Sequence, residues 1–255
     1  MFKRITIFGY GVVCYAVFFA TFLYALGWVG NFVVPSAMDG ETRLPFGQAL
    51  AIDLGLLALF AVQHSLMARP FFKRWLTTFV PESAERSTYV LASSLALIAM
   101  FALWQPLGGV VWDVTAPAAK VALYVAAAFG WALVLVATFL INHFDLFGLR
   151  QVWLQLIGRP YTQLSFGTPL LYRYVRHPLY VGWFFAFWAT PTMTVTHLVF
   201  AIATSAYILI AIQLEERDLV EAHPEYESYR RKVPMLVPFT KRRRQAGAPH
   251  AHPAR

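Results

Sequence analysis

The segment Arg176-His177-Pro178-Leu179-Tyr180-Val181-Gly182 places a cation, an imidazole, a phenol and a glycine within seven residues. Proline suits the first turn of a helix, so Arg176 and His177 are predicted to stand just before a helix N-terminus. Backbone donors at such an end, with an arginine beside them, can hold a carboxylate. Gly182 lets another backbone or a ligand approach closely. Farther along come Glu215-Glu216-Arg217-Asp218-Leu219, then Tyr226 and Tyr229 ahead of Arg230-Arg231-Lys232-Val233-Pro234. Carboxylates can accept from ribose hydroxyls or an amino group, and tyrosines can flank a flat base.

Two more imidazoles lie in apolar surroundings, where an ionisable group is costly. His64, between Gln63 and Ser65, stands near the end of an apolar stretch and before a basic run. It reads either as a satisfied interhelical histidine or as a substrate-site residue. His143, flanked by Asn142 and Asp145, ends another stretch. It reads as a site residue, as a C-terminal histidine facing the helix dipole, or as a partner of Asp145. Asp53 reads as an interfacial aspartate. It is eleven residues from His64, about 16 Å along a helix, too far for a catalytic pair. His197 reads as interfacial, and His250 and His252 carry no signal. No HxxxH or HExxH spacing occurs, so no metal is expected. There is no Gly-rich phosphate loop and no G-x-S-x-G elbow. The single cysteine, Cys14, excludes a disulfide framework.

These residues need a frame, and composition indicates what it is. Apolar types make up 58% of 255 residues and charged types 13%, with mean hydropathy +0.54. Soluble domains carry about 25% charge, so much of this surface must face lipid. Apolar stretches run over 5–30, 46–67, 88–107, 121–144 and 179–214. A spanning helix needs about 20 apolar residues. The first four stretches qualify. The fifth is too long for one span, and Ala189-Thr190-Pro191-Thr192 interrupts it, which predicts a helical hairpin with a short first arm over 180–190. The predicted fold is an all-α integral membrane protein. It has four spanning helices, a C-terminal hairpin (five to six membrane segments) and an amphipathic cytoplasmic tail. Its parts are a four-helix region over 1–144, a loop, hairpin and tail over 145–238, and a disordered basic tail over 239–255.

With the N-terminus in the cytoplasm, 19 of the 21 Lys and Arg residues fall on the inner side. Only Arg43 and Lys120 fall outside, as the positive-inside rule requires. Both termini are therefore expected in the cytoplasm. The net charge of +8 reflects this topology rather than nucleic acid. Lys241-Arg242-Arg243-Arg244 would touch anionic membrane lipid at about 1 kcal/mol per charge. The first stretch is not a cleaved signal peptide, because its apolar core is long and lacks a small-residue cleavage site.

Arg-His-Pro-x-Tyr-x-Gly at 176–182, a hairpin, Glu-Glu-x-x-Leu at 215–219 and Tyr-x-x-Tyr-x-x-x-Val-Pro-x-x-x-Pro at 226–238 resemble a known signature. It is that of the isoprenylcysteine carboxyl methyltransferase-like membrane enzymes. The resemblance implies S-adenosylmethionine in a cytoplasm-facing cavity between hairpin and tail, with S-adenosylhomocysteine released. By position, His177, Tyr180 and Gly182 would line the cofactor, with Tyr172, Arg176, Glu215, Glu216 and Tyr229 around it. Two departures are visible. Leu170-Leu171 stands where the family often has Gly-Pro, and the segment between Leu219 and Tyr226 is one residue short.

The rest of the chain resembles one branch. Phe18-Phe19-Ala20-Thr21-Phe22-Leu23-Tyr24-Ala25, Gln63-His64-Ser65-Leu66-Met67-Ala68-Arg69-Pro70 and Asn142-His143-Phe144-Asp145 are similar to the bacterial methanethiol S-methyltransferases. These are related to the NnrU-type membrane proteins. That resemblance implies methylation of methanethiol, a small-molecule thiol, to dimethyl sulfide at the bacterial inner membrane. Transfer from a sulfonium is an in-line displacement, so alignment is the main task. An alkyl thiol of pKa about 10 is only about 0.1% ionised at pH 7 and needs a proton acceptor. His64 and His143 are the candidates, and His64 is favoured because Gln63 and Ser65 can orient it. Two other readings remain. One is a methyltransferase for a larger acceptor, such as a lipid, quinone or prenylated thiol. The other is a non-catalytic NnrU-like accessory protein.

Overall fold

The computed structural model describes residues 1–240. Lys241-Arg242-Arg243-Arg244, His250, His252 and the rest of the expected basic tail lie outside them. The chain runs α1 (Phe2–Gly30), α2 (Phe46–Ala68), the short α3 (Pro70–Leu76) and α4 (Glu82–Leu103). Then come β1 (Val110–Asp113), α5 (Pro117–Ile141), α6 (His143–Leu146), α7 (Leu149–Leu156) and α8 (Pro178–Trp188). It ends with β2 (Thr192–Thr194), α9 (Val195–Ala222) and α10 (Glu225–Lys232). Among the described residues, α1, α2, α4, α5 and α9 are long and apolar enough to cross a membrane. The protein is an all-α integral membrane protein.

The helix ends follow from local chemistry. Asn31 closes α1 in the left-handed region at φ 56°, and Asn142 closes α5 the same way at φ 96°. The Asn142 side chain then accepts from the Asp145 N–H and starts α6. Pro178 opens α8, whose eleven residues span about 16 Å, too little to cross alone. After the break at Pro191, the Thr194 hydroxyl caps α9 by accepting from the His197 N–H at 3.0 Å. The hairpin is thus formed as the sequence predicts.

Its turn holds a feature the hydropathy pattern did not show. β1 and β2 pair antiparallel. Gly108 and Gly109, at φ 71° and 70°, turn the chain after α4 so that Val110–Asp113 reaches the hairpin turn. The resulting ribbon marks one end of the bundle. The loops of 69–81 and 142–177, with α10, lie at the other. The long loop of 145–177 is folded: it contains α7 and a 3-10 turn at Leu170–Arg173. Val152 of α7 is seated on Gly11 of α1, where a Cβ would come within 2.5 Å of its side chain.

Two side chains at the ribbon end depart from their expected interfacial positions. Asp53 is fully buried, and its Oδ1 accepts the Gln105 N–H at 2.9 Å, just beyond the end of α4. His197 is buried too, and its Nε2 donates to the Phe187 carbonyl at 2.8 Å, joining the two arms of the hairpin. The ribbon and its neighbouring loops close over this end, so residues next to a turn are inside the protein. Beneath them Trp28, Phe101, Trp104 and Phe200 pack as an aromatic cluster.

Candidate functional site

The motif before α8 and the acidic pair near the end of α9 meet at the end opposite the ribbon. Glu216 Oε1 accepts from Arg176 Nε at 2.6 Å and is 2.9 Å from His177 Nε2. All three residues are buried. The Arg176 guanidinium also donates to the carbonyls of Arg230 and Val233, at 2.9 and 2.7 Å, at the C-terminal end of α10. The backbone N–H groups of Arg176 and His177 donate to the carbonyls of Pro234 and Met235. The Tyr229 hydroxyl donates to the Tyr172 carbonyl at 2.5 Å. Arg176 therefore holds a carboxylate, as its position predicts, but the carboxylate is the chain's own Glu216. The result is a clamp between the start of α8, the end of α9 and the tail.

Glu215 points elsewhere. Its Oε2 accepts from the Tyr180 hydroxyl at 2.9 Å and lies 3.9 Å from His177 Nδ1, while almost half of the side chain stays exposed. Burial pushes the Tyr229 phenol up to about 12, with Glu216 adding and Arg176 opposing. Tyr172 is raised as well, by burial and then by the Glu215 charge. Both stay protonated at neutral pH. A polar cavity of about 450 Å³, lined by Arg176, Gln213, Glu216, Glu227 and Arg230, lies on the tail side of the clamp. Tyr180 and Glu215 do not line it. Gly182 is turned away from both: a Cβ there would lie 2.8 Å from the Gly130 carbonyl and the Val134 nitrogen of α5. Its close approach is to another backbone, in a small-residue helix crossing.

The two candidate bases have different surroundings. His64 lies 2.9 Å (Nε2) and 3.0 Å (Nδ1) from the Tyr89 hydroxyl of α4. Its Nδ1 is 3.1 Å from Ser93 Oγ, which accepts from Gln63 Nε2 at 3.3 Å. Phe60 stacks on the ring. The next residue, Ser65, meets the Tyr207 hydroxyl at 3.1 Å, and Arg69, five residues on from His64, pairs with Asp218 at 3.0 Å. These bonds tie the cluster to α9, the helix that also carries Glu215. His143 sits in a closed box. Its Nε2 meets the Tyr15 hydroxyl at 2.9 Å and its Nδ1 the Thr138 hydroxyl at 2.8 Å. Phe139 stacks on it at 4.2 Å. The pairing with Asp145 open at the sequence level is not made; Asp145 binds Arg150 at 2.9 Å. The left-handed Asn142 accompanies this placement, in which the imidazole meets Thr138 of α5. Burial lowers the proton affinity of His143.

The chain is 56% identical over 231 residues to the methanethiol S-methyltransferase of Crocosphaera subtropica, covering 90% of this chain and 91% of that one. It is 53% identical over 241 residues to the protein of that name from Mycobacterium tuberculosis, covering 94% and 99%. This chain belongs to the methanethiol S-methyltransferase family. It is also 33% identical over 178 residues to nurim of Sus scrofa, covering 67% and 68%. No family model matches it, and no solved structure does.

Sequence reasoning within this family missed Tyr89, Ser93 and Tyr207, which read as positions in apolar helices. A signal was present. Tyr89 and Ser93 are four residues apart and so share one face of α4. A polar stripe inside a spanning helix faces the bundle rather than lipid.

Proposed function

We propose that this chain transfers a methyl group from S-adenosylmethionine to methanethiol, giving dimethyl sulfide and S-adenosylhomocysteine. The observation that carries this reading is the 56% identity, over nine-tenths of both chains, to a protein named methanethiol S-methyltransferase. When bound, S-adenosylmethionine supplies a methyl group on a positively charged sulfur. The residues present fit such a donor. Glu215 is half-exposed, with lone pairs left for ribose hydroxyls or an amino group beyond its bond to Tyr180. The phenol rings of Tyr172 and Tyr229 suit a flat base and a cationic sulfur. His177 and Tyr180 stand beside Glu215, and Arg176 with Glu216 keeps α8 and the tail in register. Residues 145–238 then act as the donor-binding part, on the frame of 1–144 that supplies His64.

The chemistry asked of the protein is alignment and one proton transfer. His64 takes the thiol proton, because Ser65 and Arg69 beside it tie α2 to Tyr207 and Asp218 of α9, the helix that carries Glu215, whereas His143 is buried among Tyr15, Thr138 and Phe139. The Lys and Arg distribution supports a topology with both termini in the cytoplasm and the site at the inner face of the inner membrane. Methanethiol and dimethyl sulfide are small and apolar enough to come and go through lipid. The groove between α5, α8 and α9, about 620 Å³ and lined by Leu123, Phe184, Phe185 and Trp188, would suit a larger acceptor better than methanethiol and carries no part of this reading. This lipid-facing gap lies toward the ribbon end of α8, and Tyr180 and Glu215 do not line it. Headspace gas chromatography of cells expressing the protein and fed methanethiol tests the proposal. Dimethyl sulfide above the empty-vector level is expected, and none above it would refute the reading.

A further inference from the structure

We infer that Tyr89 is the hydroxyl through which the thiol proton reaches His64, a role that rests on the methyltransferase reading above. Both ring nitrogens of His64 are engaged. Ser93 Oγ sits 3.1 Å from Nδ1, and the Tyr89 hydroxyl lies 2.9 Å from Nε2 and 3.0 Å from Nδ1. Phe60 lies nearly parallel to the ring, with centroids 5.2 Å apart. A thiol therefore cannot reach a ring nitrogen without displacing a hydroxyl. Ser93 already accepts from Gln63 and has a second lone pair for an Nδ1–H. With the proton on Nδ1, Nε2 is left to accept from Tyr89. Tyr89 is also within electrostatic reach of Tyr180, whose hydroxyl donates to Glu215. Ser65 and Arg69, beside His64, tie the same end of α2 to Tyr207 and Asp218 of α9, the helix that carries Glu215.

The step balances. The S–H bond breaks as a new O–H bond forms on Tyr89, and the original Tyr89 O–H bond breaks as an N–H bond forms on His64. The electron pair left on sulfur makes the bond to the donor's methyl carbon, and the pair of the old carbon–sulfur bond leaves with the donor sulfur. His64 later returns its proton to water.

Tyr89→Phe removes the hydroxyl and keeps the ring. At pH 7 its kcat/KM for methanethiol should fall by about tenfold or more. The deficit should shrink toward pH 9.5, because thiolate already present needs no acceptor. Calorimetry should show unchanged S-adenosylmethionine affinity. In ¹⁵N-histidine NMR of the ligand-free protein, the unprotonated nitrogen of His64 (assigned by its loss in His64→Gln) should lose its accepted hydrogen bond in Tyr89→Phe. Tyr10→Phe, a phenol bonded to Thr88 on the same helix, should behave as wild type throughout. A wild-type pH profile in Tyr89→Phe overturns the role, as does a deficit of the same size at every pH or an unchanged His64 signal. Failure of the wild-type protein to make dimethyl sulfide removes the function itself, and this role with it.

Discussion

At the ribbon end, the buried side chains of Asp53, Thr196 and His197 answer backbone atoms; at the opposite end buried polar side chains also answer one another. Asp53 takes the Gln105 N–H, His197 the Phe187 carbonyl and Thr196 the Leu107 N–H. In each case a side chain fixes the path of a loop or a helix end. At the other end Arg176 and His177 meet Glu216, Tyr180 meets Glu215, and His64 meets Tyr89 and Ser93. Hydrocarbon penalises an unmade hydrogen bond equally at both ends. What differs is the partner. A side chain bonded to backbone fixes shape, while side chains bonded to one another keep protons and charges that can be exchanged. This contrast supports the proposal that the chemistry lies at the end with α10, with the ribbon end as its rigid counterpart.

The largest effect expected from breaking the contrast is at the clamp. Arg176→Met leaves the Glu216 carboxylate buried with only His177 beside it, and orphaning one member of a buried pair costs about 3–5 kcal/mol. A clear drop in the thermal unfolding temperature of the detergent-solubilised protein is expected, together with loss of S-adenosylmethionine binding. An unchanged melting curve would mean the pair is no anchor.

A smaller effect concerns pH. The Tyr229 phenol is raised in the folded protein to about 12 from an ordinary 10.0. The unfolded chain therefore ionises first. The stability from keeping this phenol neutral is fully present below pH 10 and is lost as pH rises from 10 toward 12. Urea titrations between pH 8 and pH 12 should show this decline, and Tyr229→Phe should flatten it. An equal slope in the variant would assign the decline to other groups.

The smallest effect is predicted at the ribbon end. In Asp53→Asn the amide oxygen still accepts from the Gln105 N–H, so stability should change by about 1 kcal/mol or less. Turnover and donor affinity should stay within about twofold of wild type, since no proton at this end takes part. A large loss of turnover would erase the distinction between the two ends.

Much of this arrangement is legible in the sequence, for physical reasons that also explain what is not. Apolar stretches long enough to span, and Pro191 within the last of them, specify the helices and the hairpin directly. The order of Arg176-His177-Pro178, the acidic pair and the paired tyrosines indicates that these segments meet. Contacts set by three-dimensional crossings are not legible. Gly182 carries the same letter whether it faces a ligand or Gly130. His143 looks as available as His64 until the structure buries it among Tyr15, Thr138 and Phe139, where His64 stays partly exposed. Tyr89 and Tyr207 belong to helices whose hydropathy says only that they span. The ribbon escapes because a four-residue strand beside a turn leaves no period to read.

The most direct test of the assigned site is the affinity of purified wild-type and Glu215→Gln protein for S-adenosylmethionine, measured by calorimetry. Glu215 is half-exposed and stands outside the buried clamp, so the variant should keep the wild-type unfolding temperature. It should bind S-adenosylmethionine at least about tenfold more weakly, the loss of one charge-assisted contact to the donor. Wild-type affinity in Glu215→Gln, with its fold intact, would contradict the placement of the donor between the hairpin and the tail.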